Sequence, residues 1–187
     1  MEGKRVITPL SGESILHLKA GDMVSLSGRI YTARDSTHKR LLNYLAEGNA
    51  LPFELEGAVI YYCGPTPPPP GRVMGSCGPT TSMRMDIFTL PLLEKGIKGM
   101  IGKGKRSQEI IAGIKKFKAV YFLAVGGAGA YLSRFVKGRK VLLFPELGTE
   151  ALTELTVENF PLIVGVDAAG NTLGPHFFNR ADKYPLW

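Results

Sequence analysis

Two copies of the sequence Cys-Gly-Pro-Thr constrain the fold of this chain more than any other feature. They occupy residues 63–66 and 77–80. A Gly-Pro pair interrupts helices and strands, so each copy must lie in a turn between regular elements. The second copy continues with Thr81 and Ser82, whose hydroxyl side chains favour the start of a helix. The sequence therefore predicts a helix that begins at the second turn.

The predicted helix start could hold an anion. Backbone N–H groups at the start of a helix attract carboxylates and phosphates, and Arg84 lies one turn inside this helix. The alternative is an ordinary capped helix whose arginine faces solvent. Both interpretations fit the turn when it is taken by itself.

Length and composition indicate one globular domain. With 187 residues, of which 44% are hydrophobic, the chain is predicted to form a single domain over residues 1–187. No apolar run reaches the roughly 18 residues that a membrane span needs, so no membrane contact is expected. The segment from Met1 to Arg5 lacks the apolar core of a signal peptide, and we therefore expect a cytoplasmic protein.

The net charge of +7 permits nucleic acids, anionic metabolites or an acidic protein as partners. The basic residues are scattered along the chain, with no aromatic-rich RNA-binding motif among them. We therefore expect no nucleic-acid partner.

The chain has only two cysteines, Cys63 and Cys77. Two thiols cannot provide four ligands to zinc or to an iron–sulfur cluster, so any such metal must be held mostly by another chain. The simpler interpretation of both residues is that they are small buried hydrophobic side chains.

Hydrophobic patterns in the first third of the chain predict two strands and a helix. The strands lie over 14–18 and 23–32, and the helix is capped by Asp35 or Ser36. A buried strand over 58–62 runs into the first Cys-Gly-Pro-Thr, after which four consecutive prolines predict an extended loop.

From residue 85 onward, predicted helices and strands alternate, and two more strands follow over 152–157 and 161–166. This order predicts an α/β fold. Ligands of such folds bind beyond the carboxyl ends of the strands, where Arg34 and Lys103 are expected. Arg34, Lys103 and Arg84 could therefore converge on one anion that Thr80 faces.

Four motifs together resemble the beta subunit of class I fumarate hydratase and L-tartrate dehydratase, over nearly the whole chain. They are Thr-Ala-Arg-Asp at 32–35, Cys-Gly-Pro-Thr-Thr-Ser-Met-Arg-Met-Asp at 77–86, Gly-Lys-Gly at 102–104 and Gly-Gly-Ala-Gly-Ala at 126–130. In single-chain members of this family the same region is the C-terminal domain.

The resemblance implies a single swivelling β/β/α domain, with mixed sheets and flanking helices, that closes over a partner alpha subunit. That subunit would carry a [4Fe-4S] cluster, one iron of which acts as a Lewis acid on the substrate, in an alpha2beta2-type assembly. The implied reaction is the reversible hydration of fumarate, a C4 dicarboxylate, to malate. L-tartrate dehydration to oxaloacetate is the alternative within this chemistry, and a non-catalytic anion-binding or scaffold module is the alternative outside it.

The family pattern also implies roles for individual residues. Arg34 and Arg84 match clamps on the substrate carboxylates, and Lys103 matches a further cation in the closed site. Thr80 matches the base that takes the carbon-bound proton during dehydration. Because a threonine hydroxyl is a poor base, it would need nearby cations to stabilise its alkoxide.

Four further residues are expected near the site in supporting roles. Asp35 is interpreted as a helix cap that orients Arg34, Asp86 as an ion-pair partner of Arg84, His38 as a structural histidine, and Thr81 as part of the helix start. Many relatives carry glycine where this chain has Met83, which is expected to crowd the helix start or to narrow the pocket.

Overall fold

The computed structural model describes residues 3–174. Seven strands lie within this range, and they form one sheet. The strands are β1 (Lys4–Ile7), β2 (Met23–Thr32), β3 (Val59–Tyr61), β4 (Gly99–Gly102), β5 (Val120–Leu123), β6 (Val136–Leu143) and β7 (Leu152–Val166).

The order of strands across the sheet is β1-β2-β3-β4-β5-β7-β6, and β2 also pairs with β7. The pairing therefore closes into a ring of β2, β3, β4, β5 and β7. Neighbours from β1 to β5 run parallel, whereas β7 is antiparallel to β2, β5 and β6. The predicted mixed sheet is confirmed.

Five α-helices connect or flank these strands within the described range. They are α1 (Gly12–Leu16), α2 (Asp35–Ala46), α3 (Asp86–Glu94), α4 (Gln108–Phe117) and α5 (Gly129–Leu132). Short 3₁₀ segments at Ser82–Met85, Ser133–Phe135 and Pro145–Glu150 complete the elements. None of the helices in residues 3–174 is long and apolar enough to cross a membrane.

Alternate residues of the strands face two separate hydrophobic cores, because successive side chains of a strand point to opposite faces. In β3, Val59 and Tyr61 join the core that β1, β2 and β7 enclose. Ile60 and Tyr62 join the second core, which lies under α2, α3 and α4. The three helices thus cover one face of the parallel strands.

Two predictions of local structure were wrong. The segment 14–18 falls in α1 and the residues after it, because Ser11 and Ser14 form a reciprocal capping box that starts a helix at Gly12. The two strands predicted over 152–157 and 161–166 are one continuous strand, β7. Pairing with β2 on one side and with β5 and β6 on the other supports its full length.

A buried arginine joins the helical layer to the sheet. The Arg106 guanidinium donates to Asp86 Oδ1 (2.7 Å), to Thr89 Oγ1 (2.7 Å) and to the Tyr62 hydroxyl (3.2 Å). Its side chain is fully buried, and that of Asp86 is 11% exposed. The second oxygen of Asp86 accepts the Ser107 N–H, so this network joins β3, α3 and the start of α4.

We expect Arg106→Met to lower the free energy of unfolding by about 3–5 kcal/mol, because it leaves the Asp86 carboxylate buried without its partner. Urea unfolding of the purified chain measures this change. Arg29→Met is the matched control, since Arg29 is 67% exposed and lies 3.8 Å from Glu154. That exposed pair should contribute at most about 1 kcal/mol. Equal losses in the two variants would contradict a structural role for Arg106.

Candidate functional site

The candidate site lies at the carboxyl ends of the parallel strands β2 to β5. Arg34 follows β2, Gly64 follows β3, Lys103 follows β4 and the glycine-rich segment 126–129 follows β5. This edge is where α/β sheets bind their ligands.

The second Cys-Gly-Pro-Thr turn is fixed to this edge by backbone hydrogen bonds. The Thr80 N–H donates to the Tyr62 carbonyl (2.7 Å), and the Lys103 N–H donates to the Thr80 carbonyl (3.2 Å). The Ser82 N–H then donates to the Lys103 carbonyl (2.9 Å), and Thr81 forms a parallel bridge with Lys103. Residues 80–82 therefore extend the sheet between the ends of β3 and β4.

These backbone hydrogen bonds alter the anion-binding site that was predicted at the helix start. The turn does start a helix, through the 3₁₀ segment Ser82–Met85 that leads into α3, but Thr81 makes no side-chain capping bond. The N–H groups of Thr80 and Ser82 are used by the sheet, so they are not available to an anion. An anion bound here therefore relies on side chains, that of Arg84 among them, and on backbone N–H groups other than these two.

Two arginines share one carboxylate at this edge. Arg84 Nη2 lies 2.7 Å from Asp35 Oδ2, and Arg34 Nη2 lies 3.9 Å from the same oxygen. The structure thus brings Arg34 and Arg84 together, although they are 50 positions apart in the sequence. The two guanidinium groups offer planar N–H donors of the kind that bind carboxylates, and Asp35 is their shared counterion.

Asp35 was predicted to cap α2, and this prediction was wrong. The helix begins at Asp35 itself, and the preceding residue, Arg34, has no side-chain capping bond. The Asp35 carboxylate binds Arg84 instead. Its distance to Arg34 is too long for a hydrogen bond, so Asp35 contacts Arg84 more closely than the residue that it was expected to orient.

Thr80 and Lys103 lie side by side through their backbones. The Thr80 side chain is partly exposed, the Lys103 side chain is exposed, and neither has a side-chain partner among residues 3–174. Lys103 passes close to the glycine-rich segment, because a Cβ added at Gly126 would lie 3.6 Å from its Cδ. Both polar groups are therefore available to a ligand at the sheet edge.

The glycines around the site permit close contacts between backbones. A Cβ at Gly129 would lie 2.7 Å from the Gly78 nitrogen, so the segment after β5 packs directly against the second turn. A Cβ at Gly64 would lie 2.9 Å from Arg34 Nη1 and 3.0 Å from Arg34 Cδ. The Arg34 side chain therefore lies against bare backbone.

Asp86 was predicted to pair with Arg84, and this prediction was also wrong. Asp86 binds the buried Arg106, whereas Arg84 is 53% exposed and binds Asp35. Met83 is 55% exposed and lines a surface groove with Ile87, so it does not crowd the helix start. A narrower substrate pocket stays a prediction.

His38 lies directly beneath Arg34. Its Nδ1–H donates to the Arg34 carbonyl (2.7 Å), and its ring packs between Tyr62 and Phe88. The side chain is 1% exposed, and burial lowers the pKa of His38 to about 4. His38 is therefore neutral near pH 7 and supports the backbone that carries Arg34.

The two cysteines do not fit the ligand set of an iron–sulfur cluster. Both are buried, and burial raises the pKa of Cys77 to about 12 and that of Cys63 further. An iron–sulfur cluster is held by four thiolates as a rule, and two buried thiols are too few to supply them. Among residues 3–174, no group of three or more His, Cys, Asp or Glu side chains is placed to hold a metal.

Sequence reasoning missed two residues of this region. Arg106 anchors Asp86, and Glu150 Oε1 lies 3.6 Å from Arg34 Nη2. Glu150 is 116 positions from Arg34 in the sequence, so no local pattern links the two. Arg106 is one of the scattered basic residues of the chain, and no local pattern distinguishes it as a buried one.

We expect protonation of His38 to destabilise the fold at acid pH. The folded-state pKa of about 4 lies below the ordinary value of 6.5, so the unfolded chain binds the proton first. The stabilisation is present above pH 6.5 and is lost as the pH falls toward 4, by about 3 kcal/mol in total. Urea unfolding between pH 7 and pH 4 measures this loss.

The matched control for this pH series is His17→Asn, because His17 is exposed. His38→Asn should flatten the decline of unfolding free energy below pH 6.5, and His17→Asn should leave it unchanged. An unaltered decline in the His38 variant would rule out this linkage.

Comparison with known proteins identifies the family of this sequence. The family model described as Fumarase C-terminus matches residues 5–177. A protein of Methanocaldococcus jannaschii, named as a candidate L(+)-tartrate dehydratase subunit beta, is 38% identical over 170 residues, which cover 88% of this chain and 87% of that protein.

Longer relatives match as well. Fumarate hydratase class I, aerobic, of Escherichia coli K12 is 38% identical over 150 residues, which cover 79% of this chain and 27% of that enzyme. Fumarate hydratase 1, mitochondrial, of Leishmania major is 39% identical over 150 residues, with the same two shares. The chain thus spans about a quarter of the length of these two relatives. Since the family model and the M. jannaschii relative both match most of its length, the chain belongs to the Fumarase C-terminus family.

Proposed function

We propose that this chain is the beta subunit of a two-subunit iron–sulfur hydro-lyase that reversibly hydrates fumarate to malate. The observation that carries the proposal is the pair of arginines, Arg34 and Arg84, that share Asp35 beside Thr80 and Lys103. Two cations that share one counterion provide one charge for each end of a C4 dicarboxylate. Fumarate hydratases among the relatives act on this kind of substrate by name.

In this proposal, each cation of the site has a defined task. Arg34 and Arg84 bind the substrate carboxylates, and binding displaces Asp35 from its role as their shared counterion. Lys103, exposed and next to Thr80, adds positive charge where the reacting carbon lies. The three cations hold the dicarboxylate in one orientation, which lowers the entropic part of the barrier.

Thr80 is the proposed base. During dehydration its alkoxide takes the proton from the carbon next to the one that loses hydroxide, and the double bond forms between these two carbons. In hydration the Thr80 hydroxyl returns that proton. The alkoxide is costly at neutral pH, and its formation depends on the positive charge of Lys103 and Arg84.

The cluster in this proposal belongs to a partner alpha subunit. The support for a partner is the name subunit beta of the M. jannaschii relative and the extra length of the fumarate hydratases. The protonated, buried cysteines of this chain agree with a cluster held elsewhere. We further propose that the domain swivels to close over this subunit, in an alpha2beta2-type assembly in the cytoplasm.

L-tartrate dehydratase is the second candidate, and a specific observation favours it. The M. jannaschii relative, which this chain matches over 87% of its length, carries that name. The same two arginines would bind tartrate, and the product would be oxaloacetate.

We expect the purified chain alone to be inactive, and its anaerobic mixture with a cluster-loaded alpha subunit of a class I fumarate hydratase to hydrate fumarate. Turnover of fumarate, malate and L-tartrate by the same complex distinguishes the two candidates. Full activity of the isolated chain would refute the subunit proposal, and a complex that binds dicarboxylates without turnover would indicate an anion-binding module.

In the active complex, we expect Thr80→Ala to lower kcat by about 100-fold or more, because it removes the base. Arg84→Ala should weaken dicarboxylate binding by about 10- to 100-fold, the range for a hydrogen bond between charged groups. Steady-state kinetics and calorimetric titration measure the two effects.

Each of these variants has a matched control. Thr66→Ala truncates the threonine of the first Cys-Gly-Pro-Thr, whose hydrogen bonds within residues 3–174 are to Ser76. Arg5→Ala removes an exposed arginine of β1, a strand that carries none of the candidate site residues. Unchanged turnover in Thr80→Ala would show that Thr80 is not the base. Unchanged dicarboxylate affinity in Arg84→Ala would show that Arg84 does not bind a substrate carboxylate.

A further inference from the structure

Glu150 approaches the site from a part of the fold that carries none of the predicted site residues. It is the last residue of the 3₁₀ segment Pro145–Glu150, and Ala151 alone separates it from the long strand β7. Its side chain is only 21% exposed, although glutamate is usually found at the surface. Its partners explain this partial burial.

Each carboxylate oxygen of Glu150 has its own partner. Oε1 lies 3.6 Å from Arg34 Nη2, and Oε2 accepts the Ser36 N–H at 3.0 Å. The Glu150 carbonyl accepts the Thr37 hydroxyl. A single residue therefore caps α2, which lacks a local side-chain cap, and also faces the guanidinium of the residue that precedes the helix.

The Arg34 guanidinium is confined between Glu150 and Gly64. A Cβ at Gly64 would lie 2.9 Å from Nη1, so bare backbone closes one side, and Glu150 attracts the group from another. Nε of Arg34 is buried. A free arginine side chain samples many rotamers, and this confinement removes most of that freedom before any ligand binds.

The length of the contact matters for binding. At 3.6 Å the Arg34–Glu150 pair is an ion pair that is too long for a hydrogen bond. Glu150 therefore orients the guanidinium without occupying its N–H donors, which stay available to a carboxylate. Asp35, by contrast, forms a direct 2.7 Å hydrogen bond with Arg84 and must yield to the substrate.

We propose that Glu150 is a positioning residue that sets the orientation of Arg34 for a substrate carboxylate. The inference rests on the proposed function only in taking that ligand to be a dicarboxylate. Through Ser36 and Thr37, the same residue fixes the start of α2, so helix and guanidinium are held as one unit.

The kinetic test uses the assembled complex. Glu150→Gln keeps an amide oxygen for the Ser36 N–H and removes the charge that faces Arg34. We expect KM for the dicarboxylate to rise about five- to tenfold with kcat within about threefold, in the range of coupling between contacting residues. Glu146→Gln, in the same 3₁₀ segment and paired with the exposed Arg40, should leave KM unchanged.

A double-mutant cycle separates positioning from helix capping. If Glu150 acts through Arg34, Glu150→Gln should have no further effect on KM in an Arg34→Ala background. An unchanged KM in the single variant, or the same increase in both backgrounds, would overturn the proposal.

A second measurement does not depend on turnover. In the ¹⁵N-labelled chain, the Arg34 Nε–H resonance, identified by its loss in Arg34→Lys, should exchange slowly with solvent and should exchange faster in Glu150→Gln. Equal exchange rates would overturn the positioning role. If the wild-type complex turns over no C4 acid, the proposed function fails while this measurement still decides the role of Glu150.

Discussion

The backbone hydrogen bonds from Thr80 to Tyr62 and from Lys103 to Thr80 are the constraint on which the candidate site depends. They insert an irregular turn between the ends of two buried parallel strands, where unpaired backbone groups would otherwise be costly. Once the turn is fixed there, the chain must pass Ser82 and place Arg84 at the sheet edge. Arg106, buried beneath the helical layer, holds the start of α3 through Asp86, so the turn is fixed at both ends.

The three cations of the site differ in how closely each is paired with a carboxylate. Arg84 is hydrogen-bonded to Asp35, Arg34 is attracted by Glu150 and Asp35 over longer distances, and Lys103 has no ion-pair partner among the described residues. Such an arrangement keeps cations close together in the absence of a ligand, because the two carboxylates offset their mutual repulsion. It also leaves N–H donors on Arg34 and Lys103, as the proposed binding of a dicarboxylate requires.

Much of this fold could be predicted from the sequence, because strands β2 to β5 have compact apolar patterns and are bounded by turn residues. The prediction failed at one overlooked local motif and at one strand whose length depends on tertiary pairing. Ser11 and Ser14 form a capping box that converted a short alternating pattern into α1. In β7, Asn159 adopts a positive φ of 52° and the strand continues through it, because three neighbouring strands pair along its length.

The sequence by itself determined where strands β2 to β5 lie along the chain, the position of the second turn and the residues at the strand ends, because hydrophobic periodicity and Gly-Pro turns are local properties of the chain. Only the tertiary structure decided which charges pair. Asp86 binds Arg106 and not Arg84, Asp35 binds Arg84, and Glu150 reaches Arg34 across 116 positions. Ion pairing depends on distances of a few ångströms between side chains on different elements, and the packing of the helices on the sheet sets those distances.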